Sequence, residues 1–199
     1  MGKAIGMVEL NSIARGIETG DFMVKAAQVE LLQSCSICPG KYIVIVGGET
    51  AAVTASLAVG KEKSGERLVD SLLIPGVHPQ LLPAIGMTSK VDEIEAVGVM
   101  EFCSAASAIM AADTAVKTAA VTLIEVRVGN IIGGKGYVIL TGDIGDVREA
   151  VAAAEKNAKR MVESAVIPRP SSAVVESLMR GGKNKRYPMV RKDDINDAQ

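Results

Sequence analysis

Aromatic residues are nearly missing from this 199-residue chain: it has no tryptophan, two phenylalanines and three tyrosines. Stacking platforms for nucleic-acid bases are therefore not expected. Charge of one sign is also missing, since 22 Lys and Arg stand against 23 Asp and Glu, giving a net charge of -1. No global field draws in nucleic acid or anionic lipid, and near-zero charge favours self-association. No apolar run reaches the roughly 18 residues that would span a bilayer. The start, Met1-Gly2-Lys3-Ala4-Ile5-Gly6 followed by Glu9 and Arg15, has none of the features of an export signal. A cytosolic protein that contacts neither membrane nor nucleic acid is the expectation. Three cysteines, Cys35, Cys38 and Cys103, are too few and too odd in number for a disulfide framework. With 48% hydrophobic residues the chain still has enough apolar material for real cores, built from Ala, Val, Ile, Leu and Met.

What the chain does contain is a copy of itself. Residues 4 to 37 align with 96 to 129, with Ala4, Gly6, Glu9, Ser12, Ile17, Asp21, Val24, Lys25, Ala27, Val29 and Leu31 recurring identically. After a shift of two, Lys41 to Glu49 matches Lys135 to Asp143, and Ser71 to Pro75 then matches Ser164 to Pro168. Two domains follow, 3–86 and 96–179, with a polar linker at 87–95 and a tail at 180–199. Arg180, Lys183, Lys185, Arg186, Arg191 and Lys192 make that tail basic before its acidic end, which reads as a solvated or partner-docking segment.

Each copy reads β-α-β-β-α-β-α, an α+β arrangement of helices on an antiparallel sheet, related to the ferredoxin-like fold. Ala4 to Leu10 predicts a strand, and Ser12 is placed to cap a helix whose Ile13, Ile17, Val24 and Ala27 form its buried face. Ser104, Ile109, Ala112, Val116 and Ala119 repeat that pattern. Val29 to Ile37 and Tyr42 to Val46 form a hairpin around Pro39-Gly40, followed by a helix over Ala51 to Glu66 and a strand over Leu68 to Ile74. A short helix over His78 to Ile85 closes the copy, with Pro79 placed to start it.

Chemistry-bearing motifs are few. Gly129 to Lys135 fills seven positions of a phosphate-binding loop, but Gly136 replaces the metal-binding Ser or Thr and a strand follows instead of a helix. A glycine-rich hairpin loop, the counterpart of Ser36-Ile37-Cys38-Pro39-Gly40, is the simpler reading. Cys35 and Cys38 make a Cys-x-x-Cys pair that straddles a strand end, where no helix N-terminus would stabilise the thiolate of a dithiol oxidoreductase. A four-ligand zinc site would need Cys103 or the single histidine, His78, to converge on that pair. Cys35 is expected as a small buried residue and His78 as a local hydrogen-bonding group at a helix start. Cys38, at a loop tip, has no packing reason to be cysteine. Glu9 and Glu101, paired by the repeat, are expected to serve one structural role twice, and no general acid and base pair or nucleophile triad is visible, so no enzyme activity is expected.

The segments Ala4 to Glu9, Asp21 to Ala27, Pro39-Gly40-Lys41-Tyr42, Ile74-Pro75 and Ile167-Pro168-Arg169-Pro170 resemble the bacterial microcompartment shell domain, over residues 3 to about 179. Two copies in one chain resemble its tandem-domain, trimer-forming class. That resemblance implies a homotrimeric, pseudohexagonal tile with six repeat loops around a central pore. It further implies a place in a microcompartment shell within the cytoplasm, other shell proteins as neighbours at the tile edges, and encapsulated redox enzymes as possible partners. Under it Lys25, Lys117 and Arg169 are tile-edge residues, with Gly76 standing where the first copy lacks that arginine. The pore would be lined by Ser36, Ile37, Pro39, Gly40, Asn130, Ile131, Ile132 and Gly133. Three copies of Cys38 would hold a 4Fe-4S cluster, leaving its fourth iron to an external ligand. Electron transfer across the shell and delivery of clusters to enzymes inside are both open uses. Without the cluster, the same loops would form an open conduit for small metabolites.

Overall fold

A computed structural model describes residues 4–86, 89–129, 132–157 and 160–180. The first copy runs β1 (Ala4–Leu10), α1 (Ile13–Ala26), β2 (Glu30–Ile37), β3 (Lys41–Gly48), α2 (Thr50–Ser64), β4 (Leu68–Ile74) and α3 (Leu81–Ile85). In the second follow β5 (Ala96–Phe102), α4 (Ala105–Thr118), β6 (Thr122–Val128), β7 (Gly136–Gly142), α5 (Ile144–Asn157), β8 (Met161–Ile167) and α6 (Ser172–Arg180). Each copy forms a four-stranded antiparallel sheet, in the orders β2-β3-β1-β4 and β6-β7-β5-β8. The α+β reading of the sequence holds. The tail at 181–199 lies outside the described residues.

Local signals set the element boundaries. Ser12 Oγ accepts from Arg15 N at 3.3 Å and Ser104 Oγ from Ser107 N at 3.1 Å, so the same serine caps the first helix of each copy. Pro39 and Gly40 make the first hairpin turn, where Gly40 has φ +83°. Helix α3 begins at Leu81 rather than at Pro79, which lies in the preceding turn.

Strand alternation divides the first sheet between two cores. Ala4, Val8, Leu10, Tyr42, Val44 and Val46 face α1 and α2 and pack with Met23, Val53 and Leu57. Ile5, Met7, Ile43, Ile45, Leu72 and Ile74 face the other way, into one continuous cluster with Ala105, Ala108, Ile109 and Ala112 of α4. The junction between the copies is thus packed like a domain interior.

One expectation fails here. The face of α1 predicted to be buried, with Ile13, Ile17 and Val24, is exposed, and the helix instead buries Gly16, Thr19, Gly20 and Met23 on its sheet. Ile17 is 57% exposed, whereas its repeat counterpart Ile109 is fully buried. The reason is the junction: α4 has the first copy's β1 and β4 lying on its outer face, and α1 has no such neighbour among the described residues.

The two copies achieve close helix-to-sheet contact by opposite means. A Cβ on Gly16 would sit 2.5 Å from the Tyr42 ring, and a Cβ on Gly136 would sit 2.7 Å from Ala108 Cβ. Gly16 corresponds to Ala108 and Tyr42 to Gly136, so the missing side chain has moved from helix to strand. Gly136→Ala is expected to destabilise the protein by about 1–3 kcal/mol through overpacking. Adding Ala108→Gly should recover part of that loss, although Ala108→Gly alone costs about 1 kcal/mol in a helix interior; urea unfolding midpoints of the three variants read this coupling.

Candidate functional site

Two loops and one interface carry the unusual chemistry of the molecule. Loop 38–40 joins β2 to β3, and the loop following Gly129 joins β6 to β7. They touch within one chain: Cys38 N donates to Gly129 O at 2.8 Å, and a Cβ on Gly134 would lie 2.7 Å from Cys38 O. Gly129 and Gly134 have φ of +76° and +78°, so both the turn and the close approach require glycine. The phosphate-loop likeness dissolves in this setting: Lys135, its would-be phosphate ligand, pairs with Glu101 at 2.7 Å, and β7 follows directly. Glu101 beside it raises the Lys135 ammonium above its ordinary pKa, first through the hydrogen bond and then through its charge.

Cys38, Pro39 and Gly40 are exposed at the tip of the first loop, and Ser36 is exposed on the strand leading to it. Ile37 departs from its assignment as a pore-lining residue, since it is buried beneath Gly129, where it seals one loop against the other. On the second loop Gly133 is exposed and Ile132 half-buried; Asn130 and Ile131 lie outside the described residues. Cys35 is half-buried rather than enclosed, with Gln33 Nε2 donating to its Sγ at 3.3 Å, and Cys103 is exposed. Among the described residues no three His, Cys, Asp or Glu side chains of one chain gather as a metal site.

At the junction between the copies the decisive groups are carboxylates. Glu9 is fully buried; one oxygen accepts from Lys41 Nζ at 2.7 Å and the other from the backbone N–H of Ala105 at 3.0 Å. Asp70, beside it on β4, accepts from Ser104 Oγ at 2.6 Å. The first turn of α4 has no acidic residue of its own, so the first copy supplies the negative charge that its unpaired amides and dipole favour. Asp113 on α4 accepts from His78 N at 2.9 Å, and Gln80 clamps β6 by accepting from Leu123 N and donating to Val121 O. His78 also accepts from Gln80 N at 3.4 Å, the local role expected of it. None of these junction partners was legible as such, because each contact joins groups far apart in sequence.

The repeat places the same groups again on the second sheet and at the start of α1, where among the described residues no helix of the other copy covers the one and no sheet carboxylate caps the other. Glu101 and Glu163 occupy the places of Glu9 and Asp70 on the second sheet, and the first turn of α1 again has no acid. Ile167 is 36% exposed where Ile74 is 2%, and Val162 is exposed as well. Lys25, paired with Asp21 at 2.6 Å, and Lys117, paired with Asp113, stand in the last turns of α1 and α4, and Arg169 is exposed just after β8. At Gly76, Arg169's counterpart, φ is +67°, a conformation that disfavours a side chain.

The BMC domain family model matches this chain twice, at residues 4–77 and 96–170. Over 184 residues the chain is 45% identical to the bacterial microcompartment shell protein PduT of Citrobacter freundii, covering 91% of this chain and all of that protein. It is 38% identical over 89 residues to the carboxysome shell protein CsoS1 of Prochlorococcus marinus, covering 43% of this chain and 86% of that one. Among solved structures, a microcompartment protein from Desulfitobacterium hafniense superposes with a TM-score of 0.79 at 46% identity, over 88% of this chain and 99% of that one. A fused permuted hexameric shell protein from the RMM microcompartment gives 0.55 at 25% identity, over 77% and 80%.

Glu9→Gln removes the charge that Lys41 and the α4 amides share. It should lower stability by about 2–4 kcal/mol, because a buried pair is broken and its partners stay in place. The shift in urea midpoint against the parent chain measures it.

Proposed function

This chain belongs to the BMC domain family and is a structural shell protein of a bacterial microcompartment, and we propose that three copies close into a six-domain ring whose axis carries a 4Fe-4S cluster on three Cys38 thiolates. One observation supports the ring above all: the junction filled inside the chain has both of its halves open at the chain's ends. The outer face of β5 and β8 would receive α1 of the next copy, as β1 and β4 receive α4. Glu101 would then accept from the Ile13 amide, and Glu163 from Ser12 Oγ. Such an interface is heterologous, and a heterologous interface that closes gives a ring without free ends. Other shell proteins would meet the ring at its rim, which would carry Lys25, Lys117 and Arg169, all three exposed in the single chain.

Closure would bring three copies of each loop to the axis. The exposed thiol of Cys38 at the tip of the first loop fits a cluster ligand, and the absence of cysteine from residues 129–135 leaves one thiol per chain on the two loops. When bound, such a cluster accepts and releases one electron at a time. Placed in a shell pore, it would relay electrons between a donor on one side and an acceptor among encapsulated redox enzymes on the other. The protein's own part is to present the thiol: the Cys38 amide is fixed to Gly129, and Ile37 anchors the loop from below.

Purification without oxygen, with iron, sulfide and native mass measured together, tests both levels. About four irons per trimer are expected for three thiolates on a cubane. Cys38→Ser should abolish iron while the trimer persists; Cys35→Ser and Cys103→Ser should keep it. A colourless, iron-free trimer obtained under these conditions overturns the cluster and leaves an open pore for small metabolites. Ile17→Glu, which puts a charge on the half-interface of α1, should leave a folded monomer; an intact trimer from that variant overturns the ring.

A further inference from the structure

Helix α6 is the part of the fold with least to do inside its own chain. All its described residues are exposed or half-buried, and it nonetheless presents Val174, Val175, Leu178 and Met179 along nine residues. An apolar stripe of that kind on a short helix implies a surface to lie on. Its counterpart in the first copy shows what that surface is. Helix α3 follows β4 as α6 follows β8, and it packs on β6 and α4 of the second copy, where Leu81 and Ala84 are fully buried.

Counting from Ile74-Pro75 and Ile167-Pro168 places Val174 where Leu81 stands, Leu178 where Ile85 stands and Ala173 where Gln80 stands. Val174 is 42% exposed against 0% for Leu81. The receiving strand shows the same contrast: Leu123 on β6 is 1% exposed beneath α3, whereas its counterpart Leu31 on β2 is 47% exposed. Donor and acceptor surfaces are both present in each chain, and both are uncovered.

We propose that α6 docks across β2 and α1 of a second copy of this chain, in the place that α3 takes on β6 and α4 within one chain. This rests on the ring reading above and adds to it a strap from each subunit to the next. The two joints differ in kind. Gln80 ties α3 to the Val121 and Leu123 backbone with two hydrogen bonds, and Ala173 has no group to do the same. The joint between chains therefore lacks that clamp and relies more on apolar contact, over a helix of nine residues in place of five. A side-chain clamp fixes the junction that is made once, during folding of the chain, and a strap without that clamp closes the one made during assembly.

The test pairs Leu31→Cys with Ala173→Cys in the full chain, with Cys35, Cys38 and Cys103 changed to serine, and treats it with a short bismaleimide. Native mass before treatment should show a trimer, and denaturing gels after it should show covalent dimers and trimers. A native trimer whose cross-link fails, or closes within one chain, overturns the docking and leaves the ring standing. A native monomer overturns the ring itself, and the strap with it. Independently, Val174→Glu with Leu178→Glu in the otherwise unchanged chain should raise the concentration of half-dissociation at least about tenfold, since burial of two aliphatic side chains is lost. An unchanged concentration overturns the proposal.

Discussion

The buried Glu9 carboxylate is the strictest constraint on how the two halves of this chain meet. Glu9 lies on the central strand of the first sheet, faces away from its own helices, and cannot be hydrated there. An unpaired charge in that position would cost several kcal/mol, so its two partners, Lys41 and the Ala105 amide, are obligatory rather than decorative. Lys41 comes from the same sheet, but Ala105 opens a helix of the other copy. The second copy must therefore dock with the first turn of α4 over Glu9. Around that point the apolar surface of the first sheet and the alanine-rich face of α4 merge into one core, which turns a polar requirement into a rigid junction.

Packing so close needs small residues, and the copies distribute them differently. Glycine lies on the helix in the first copy and on the strand in the second, and the opposing position carries Tyr42 or Ala108. The exchange explains why the repeat is clear along β1 and α1 yet loses identity at the start of β3 and β7: the pair is constrained as a sum of volumes, not residue by residue. Tyr42 also bonds Ser34 through its hydroxyl at 3.0 Å, a link on the helix-facing side of the first sheet that Gly136 cannot copy.

Much of the architecture was legible in the residues because it depends on short-range signals. Strand alternation, the serine caps and the Pro39-Gly40 turn placed the elements of each copy, and the repeat placed the copies. The face that α1 buries was not legible, since Ile13, Ile17 and Val24 lie at helical spacing whether they meet the chain's own sheet or another chain. The same limit applies to Ile37, whose place beneath Gly129 depends on a loop nearly a hundred residues away. Likewise Glu9 was readable as a structural glutamate, but not as the carboxylate that caps a helix of the other copy. Periodicity reports that a side is apolar; only the fold reports what covers it.

Joining two copies in one chain changes what symmetry can do at an axis. Six identical domains would present six identical loops, so a thiol at the tip would appear six times or not at all. With the copies fused and free to diverge, the first loop carries Cys38 at its tip and the second carries glycines at 129, 133 and 134. The second loop also becomes a support, since Gly134 admits the Cys38 carbonyl, and Gly129 the Ile37 side chain, to distances that a side chain would block. The absence of cysteine from the second loop and the abundance of glycine there answer to the same constraint. One loop presents an exposed thiol, and the glycines of its neighbour let the backbone beneath that thiol pack closely.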